Sequence, residues 1–471
     1  MSETSHWLRK LTAMPTTSID NNTSTTRSGH LFKHSSIPAT AGRDSERTIA
    51  KETLSVAFVS PGWPQECFHN GIVTYTACMR AALKNQGHRV FVLTDDVASE
   101  TCDTDIVRLP VNTWTSRPLP RITGKIARRI APTWWRSKVV TSLLNQAVDA
   151  LAREAGLQLL QQEEAFGWAY HVAKRSPVPV VVRTHGPWFI VGRALGVTQD
   201  ANFYRRIRNE RLALRQAEAV SAPSHDVLER VRTYYDLELP RAEVIPNPIT
   251  PARADQCWRL DRCDPHRVLF VGRFDRCKGG DVIIRAIAKV MRTYPSVRLT
   301  FVGPDKGLRN GSKQPCTLGH FIEKELPEPA LQRHIECLDR LPSSEIHQLR
   351  QRCFLNVVSS RYETFGNTAL EAMSLGCPLI VSNVGGLAEM VQHERNGLLA
   401  RPGDPEDLAN QILRLLQNRA LAVQLGQQAA VDAKKRHHPD LIAQRTLDFY
   451  RRVIRQNPRG ARSSQNAASH A

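Results

Sequence analysis

Short apolar runs alternate with stretches of helical spacing along most of this chain, and the alternation comes as two separate series. In the first, residues 56–59 form an apolar run closed by Ser60-Pro61. Residues 72–86 then carry helical spacing up to Gly87, which can take the left-handed conformation that ends a helix. Strand candidates follow at 89–94, 178–183, 219–222 and 243–245, with helices at 203–217 and, capped by Ser224, at 225–231. The second series begins after Pro246-Asn247-Pro248. Strands are expected at 268–271, 299–302, 335–338, 355–358 and 379–381, with helices at 281–291, 343–351 and 367–375. Near-continuous apolar strands separated by helices mean parallel strands buried on both faces. The fold class is therefore α/β, with two doubly wound, Rossmann-like domains.

The break near residues 246–252 divides an N-terminal domain, 51–248, from a C-terminal one, 249–438. A terminal helix occupies 439–456. Residues 1–50, rich in Ser and Thr and poor in large apolar side chains, read as a disordered tail, as do residues 457–471. No stretch approaches the about 20 consecutive apolar residues of a membrane-spanning helix, and the N-terminus lacks the apolar run of a secretory signal. The ten Cys residues show no zinc or redox spacing, so reduced thiols and a cytoplasmic setting are expected.

Charge points to an acidic partner: 64 Lys and Arg stand against 45 Asp and Glu, a formal net charge of +19. Residues 106–148 contain no acid at all. They hold Arg117, Arg121, Lys125, Arg128, Arg129, Arg136 and Lys138 beside Trp134 and Trp135. Basic residues interleaved with Trp suit the surface of an anionic bilayer, at the inner face of a membrane. A solvated loop or an acceptor-binding flap fits them as well.

Ligands of open parallel sheets bind beyond the carboxyl ends of the strands, so the turns after strands are where function is sought. After the strand ending at Val271 come Gly272-Arg273 and then Lys278-Gly279-Gly280, just ahead of a helix. A guanidinium fork, a point charge and free helix N–H groups together are what phosphate binding needs. After the strand at 355–358 comes Ser360-Arg361-Tyr362-Glu363-Thr364-Phe365-Gly366-Asn367, then Thr368-Ala369-Leu370-Glu371-Ala372-Met373. Glu363 lies in the loop and Glu371 on the following helix, so one carboxylate can face sugar hydroxyls while the other reaches a ribose diol. Phe365, Gly366 and Asn367 can aim backbone N–H groups at a ligand. In the first domain, Thr184-His185-Gly186 follows a strand directly.

Two glutamates separated by seven residues, in a Glu-x-Phe-Gly context, resemble the signature of retaining glycosyltransferase family 4, the group 1 glycosyl transferases. The similarity continues in Gly385-Gly386-Leu387-Ala388-Glu389-Met390-Val391, in Asn396-Gly397-Leu398-Leu399, in Gly403-Asp404-Pro405 and upstream in Val302-Gly303-Pro304. It covers residues 268–410 closely and the N-terminal half more loosely. The resemblance implies the GT-B architecture, two Rossmann-like domains facing across a cleft, with the terminal helix crossing back to the first. It implies a transferase that moves a sugar from a UDP- or GDP-sugar to a glycan or lipid-linked acceptor with retention, as in polysaccharide biosynthesis, needing no metal or other cofactor. By matched position, Arg273 and Lys278 hold the donor diphosphate and Glu371 the ribose. Glu363, with the amides from Phe365 through Gly366 and Asn367 to Thr368, holds the sugar and distal phosphate, and His185 lies near the anomeric carbon. Gly71 stands in the family's first strand-to-helix loop, but Asn70 replaces the first glycine of its pair.

Three other readings compete. Asp103-Thr104-Asp105 has the form of a metal-holding Asp-x-Asp pair, against a solvated loop. A sugar-nucleotide epimerase would use the same fold without an acceptor. A basic nucleic-acid-binding protein would account for the charge, but the phosphate-site turns argue against nucleic acid as the partner.

Overall fold

In the computed structural model, residues 53–68, 70–98, 103–111, 132–308 and 315–457 are described, with backbone alone for 132–136. Among them, residues 54–98 and 105–457 belong to one compact unit. Thr53, Asp103 and Thr104 contribute no helix or strand.

The unit holds two parallel sheets. The first comprises β1 (Ser55–Ser60), β2 (Arg89–Thr94), β3 (Ile106–Arg108), β4 (Leu159–Glu163), β5 (Val180–Arg183), β6 (Ala219–Ala222) and β7 (Ala242–Val244), in the spatial order β3-β2-β1-β4-β5-β6-β7. The second comprises β8 (Asp264–Val271), β9 (Arg298–Val302), β10 (Ile335–Leu338), β11 (Cys353–Val358), β12 (Leu379–Ser382) and β13 (Leu398–Ala400), in the order β10-β9-β8-β11-β12-β13. In each sheet the winding reverses once, between β1 and β4 and between β8 and β11. A crevice opens at the carboxyl ends of such strand pairs.

Apolar faces explain why helices cover both sides. On the helix Gly280–Thr293, Ile283, Ile287 and Val290 are fully buried, and they meet Val268, Leu299 and Phe301 of the second sheet in one cluster. The terminal helix Pro439–Arg455 leaves the second sheet's helices and buries Ile442, Leu447 and Tyr450 against Val56, Phe58 and Val181 of the first. Three strands escaped the sequence reading, among them β13, an edge strand of three residues. β3 spans three residues, and β4 reads Leu-Leu-Gln-Gln-Glu, which breaks the apolar rule for a central strand although every residue of it is buried.

No helix among the described residues is long and apolar enough to cross a membrane. The nine described cysteines are free thiols. Asp105 of the Asp-x-Asp triplet is engaged by cations, with Lys84 at 3.3 Å, Arg89 at 3.6 Å and Arg80 at 3.8 Å. Of the basic segment, residues 112–131 and the side chains of Trp134, Trp135 and Arg136 lie outside the described residues.

Candidate functional site

The turn after β8 and the turn after β11 meet at the second sheet's reversal, and each supports the other. Gly279 has φ +69, and a side chain there would bring Cβ within 2.0 Å of the Ser359 carbonyl, so only glycine lets the two turns touch. Ser359 Oγ donates back to the Gly279 carbonyl at 2.8 Å. Asp275, buried between the two cations, organises the first turn. Its carboxylate accepts from Arg273 Nε at 2.6 Å and from the Lys278 backbone N–H at 2.8 Å. Lys278 Nζ donates in turn to Glu363 Oε1 at 2.5 Å, and Ser360 Oγ to the same oxygen at 2.8 Å. Burial works against the Lys278 charge, but the Glu363 carboxylate outweighs it and raises the ammonium's pKa. Arg273, Lys278 and Glu363 thus form one fixed array of two cations and a carboxylate.

The helix Asn367–Ser374 starts in this array. Gly366 precedes it at φ +100, and a Cβ there would lie 2.4 Å from Leu387 Cδ2. Leu387 belongs to the Gly-Gly helix Gly385–Met390, whose Gly386 N–H donates to the Glu363 carbonyl at 3.0 Å. The stretch of family-like residues at 385–391 therefore acts as the wall against which the Glu363 loop is shaped. Glu371, one turn along the helix, lies 2.7 Å from Nη1 of the fully buried Arg350, off the N–H axis, so the contact is an ion pair rather than a hydrogen bond. Arg350 Nη2 also donates to the Thr368 carbonyl at 3.2 Å. Phe365 is buried, its ring edge-on to His437 at 5.6 Å.

The first domain comes up to this array at Gly71. A Cβ on Gly71 would lie 3.3 Å from Asn367 Nδ2, so the two domains approach closely at this glycine. Asn70, in place of the paired glycine, caps the helix Gly71–Asn85, its side chain accepting from the Ile72 N–H at 2.9 Å. That N–H is thereby taken up by the chain itself. Asn247 of the linker donates to Asn367 Oδ1 at 2.9 Å and accepts from Arg183 Nη2 at 2.7 Å, tying the first sheet, the linker and the helix Asn367–Ser374 together. His185 packs edge-on against Tyr75 at 5.2 Å. Its backbone is pinned by the buried Glu164, which accepts from His185 N–H at 2.9 Å and from Gly186 N–H at 2.6 Å. Burial, and then the Arg183 charge, hold the His185 imidazole well below its usual pKa, so the ring is neutral. Further hydrogen bonds cross between the domains: Ser224 Oγ to the Thr364 carbonyl at 2.7 Å, and the His225 and Asp226 N–H groups to Glu389 at 2.9 and 2.7 Å.

The structure thus gathers Arg273, Lys278, Glu363, Phe365, Gly366, Asn367, Thr368 and Glu371 on one side and brings Gly71 up to Asn367 from the other. His185 lies within the first domain against Tyr75, whose ring also carries the Arg183 guanidinium at 4.2 Å. Asp275, Ser360, Arg350, Glu164 and Asn247 are supports that the motif reading passed over. Asp275 was legible as an acid between two cations. Arg350 was not, because nothing in sequence pairs it with a glutamate twenty-one positions away.

The sequence family described as Glycosyl transferases group 1 matches residues 260–432, and that described as Glycosyltransferase Family 4 matches residues 69–253. A glycogen synthase of Mycobacterium tuberculosis is 28% identical over 297 residues, which are 63% of this chain and 68% of that protein. Among solved structures, a sucrose-phosphate synthase from Thermosynechococcus elongatus superposes with a TM-score of 0.66 at 21% identity, covering 86% of this chain and all of that one. HepE from Anabaena, in complex with UDP-glucose, superposes with a TM-score of 0.57 at 19% identity, covering 84% of this chain and 98% of its own. At these identities the superpositions speak for the fold alone, two Rossmann-like domains in the GT-B arrangement.

Proposed function

The chain belongs to the group 1 glycosyltransferases of family 4, and we propose that it moves a hexose from a UDP- or GDP-sugar to a glycan or lipid-linked acceptor, with retention of anomeric configuration and without a metal. The observation that carries this reading is the array of Arg273, Lys278 and Glu363 at the start of the Asn367 helix. Breaking the bond between sugar and diphosphate leaves positive charge on the sugar and negative charge on the leaving group. Two cations and a helix N-terminus, already held in place, are suited to stabilise that negative charge. Glu363 is suited to the sugar hydroxyls, and Glu371 to the ribose. A neutral His185 beside the anomeric carbon can share a hydrogen bond with the sugar without adding a positive charge to a cationic transition state. Attack from the leaving-group face, with the departing phosphate taking the acceptor proton, gives retention in one step; a double displacement through an enzyme nucleophile gives the same outcome.

The acid-free segment 106–148 supports an acceptor presented at an anionic membrane surface. Binding to anionic liposomes at physiological salt tests that part alone. The reaction is tested by incubating the protein with UDP-glucose and GDP-mannose in EDTA and following nucleoside diphosphate release and product anomer. Release with one donor and an axial product supports the proposal. An inverted product, or release that needs a divalent ion, overturns it.

A further inference from the structure

The chain passes between the two domains twice, at Pro246-Asn247-Pro248 and at His437-His438-Pro439. The crossings are bonded to each other. The Ile249 N–H donates to the His437 carbonyl at 2.8 Å, and His437 Nδ1 donates to the Asn247 carbonyl at 3.2 Å. Beside them opens a cavity of about 210 Å³. Pro246 and His437 line it from the crossings and Phe365 from the Glu363 loop. Arg436 lines it from the end of the helix Arg419–His437, and Arg445 from the terminal helix. Arg273, Lys278, Glu363 and Glu371 take no part in this lining. Drug-sized ligands occupy roughly 300–1,000 Å³, so the occupant here is a smaller group than a nucleotide.

The lining is cationic. Arg436 Nη2 donates to the Met390 carbonyl at 2.9 Å. The ion-pair partner of Arg436, Asp432, stands off at 3.8 Å and is shared with Arg395 at 3.2 Å. Arg445 Nη2 donates to the Val244 carbonyl at 2.9 Å, and among the described residues no carboxylate pairs with it. A guanidinium has five N–H donors, and each of these commits one of them to a main-chain carbonyl. Glu389 also lines the cavity, but its two oxygens already accept the His225 and Asp226 N–H groups. The positive field is felt at His437. Burial first, and then the Arg436 and Arg445 charges, push its imidazole down to about 4 against the pull of the Asn247 carbonyl. Uncommitted donors from two guanidiniums match an anion with several acceptor oxygens. A phosphate can engage both forks at once, whereas a carboxylate fills only one.

We propose that this cavity is a second phosphate site, separate from the donor array, in which Arg436 and Arg445 grip a free phosphate or a small phosphomonoester. Arg436 ends a helix of the second domain, and Arg445 stands on the helix packed against the first sheet. A phosphate held by both therefore ties the domains together at their crossings. The test uses the full-length chain carrying Lys278→Met, which weakens the donor array as a competing phosphate site. Inorganic phosphate and glycerol 3-phosphate are titrated into it by calorimetry, alone and with Arg436→Met or Arg445→Met added. Lys278→Met should bind at least one probe saturably, at one site per chain. Either arginine variant should weaken that binding by about 10- to 100-fold, as for a lost charge-assisted hydrogen bond. Tighter binding of the ester identifies an organic phosphate as the occupant, and tighter binding of inorganic phosphate identifies the free ion. Arg445 is exposed and holds one carbonyl, so Arg445→Met folds and keeps the test open should Arg436→Met not. Equal phosphate binding in the folded variants, or no saturable binding of either probe to Lys278→Met, overturns the assignment.

Discussion

Replacing Glu371 by alanine does two things at once, and the structure separates them. It removes the carboxylate proposed to hold the ribose, and it strands Arg350, whose side chain is fully buried and whose carboxylate neighbour is Glu371 at 2.7 Å. Breaking a buried ion pair by deleting one member costs about 3–5 kcal/mol, because the remaining charge stays out of water uncompensated. Glu371 keeps 29% of its side-chain surface, so water already screens part of the attraction and a cost at or below the foot of that range, about 2–3 kcal/mol, is expected. For a domain of this size that is a fall of roughly 4–12 °C in the thermal midpoint. Glu371→Gln keeps an oxygen facing Arg350 and should cost only about 1 kcal/mol. Both variants lose the charge-assisted ribose contact. The assay is differential scanning of wild type, Ala and Gln without ligand and then with nucleotide. Equal unliganded midpoints for Ala and Gln would refute the claim that Arg350 depends on this carboxylate.

Two more expectations follow from the geometry. Lys278→Met removes a donor from the diphosphate array and leaves the half-hidden Glu363 carboxylate with Ser360 alone, so nucleoside diphosphate affinity by calorimetry should fall about 10- to 100-fold; an unchanged affinity would place the phosphates elsewhere. Burial, and then the neighbouring Glu164 and Asp95 carboxylates, push the Glu163 carboxyl from 4.5 up to about 7. The folded state thus holds that proton more tightly than the unfolded one, and the stability this gives is complete below 4.5 and lost as pH rises towards 7. Glu163→Gln has no proton to lose, so its midpoint relative to wild type should climb between pH 5 and pH 7, by up to about 1.4 kcal/mol per pH unit. A constant offset would show that Glu163 is ionised throughout.

What the sequence made legible was the part built on apolar periodicity and turn residues. The second half of β8, Val268–Val271, is a continuous apolar run and β11 is one broken only by Asn356, and the charged and glycine-bearing turns after them read directly as ligand loops. The helix predicted at 281–291 is Gly280–Thr293, longer by a turn's fraction at each end, as expected where caps rather than the apolar stripe set the limits. β4 was illegible for the opposite reason. Gln161, Gln162 and Glu163 occupy a central strand where burial demands apolar residues, and the strand departs from the pattern just where it borders the crevice. The four consecutive polar residues 161–164 extend the Leu159-Leu160 pair that opens this strand. The cross-domain bonds of Ser224, Glu389 and Asn247 join residues more than a hundred positions apart and leave no local trace.

The central claim is that the turns after β8 and β11 bind a nucleoside diphosphate. The most direct test is the thermal midpoint of the purified protein against UDP, GDP and ADP, with and without EDTA, for wild type and Glu371→Gln. One nucleotide should raise the wild-type midpoint at concentrations well above its dissociation constant, EDTA should leave the shift unchanged, and Glu371→Gln should reduce it. No shift with any of the three, from a protein that still unfolds cooperatively, would contradict the account.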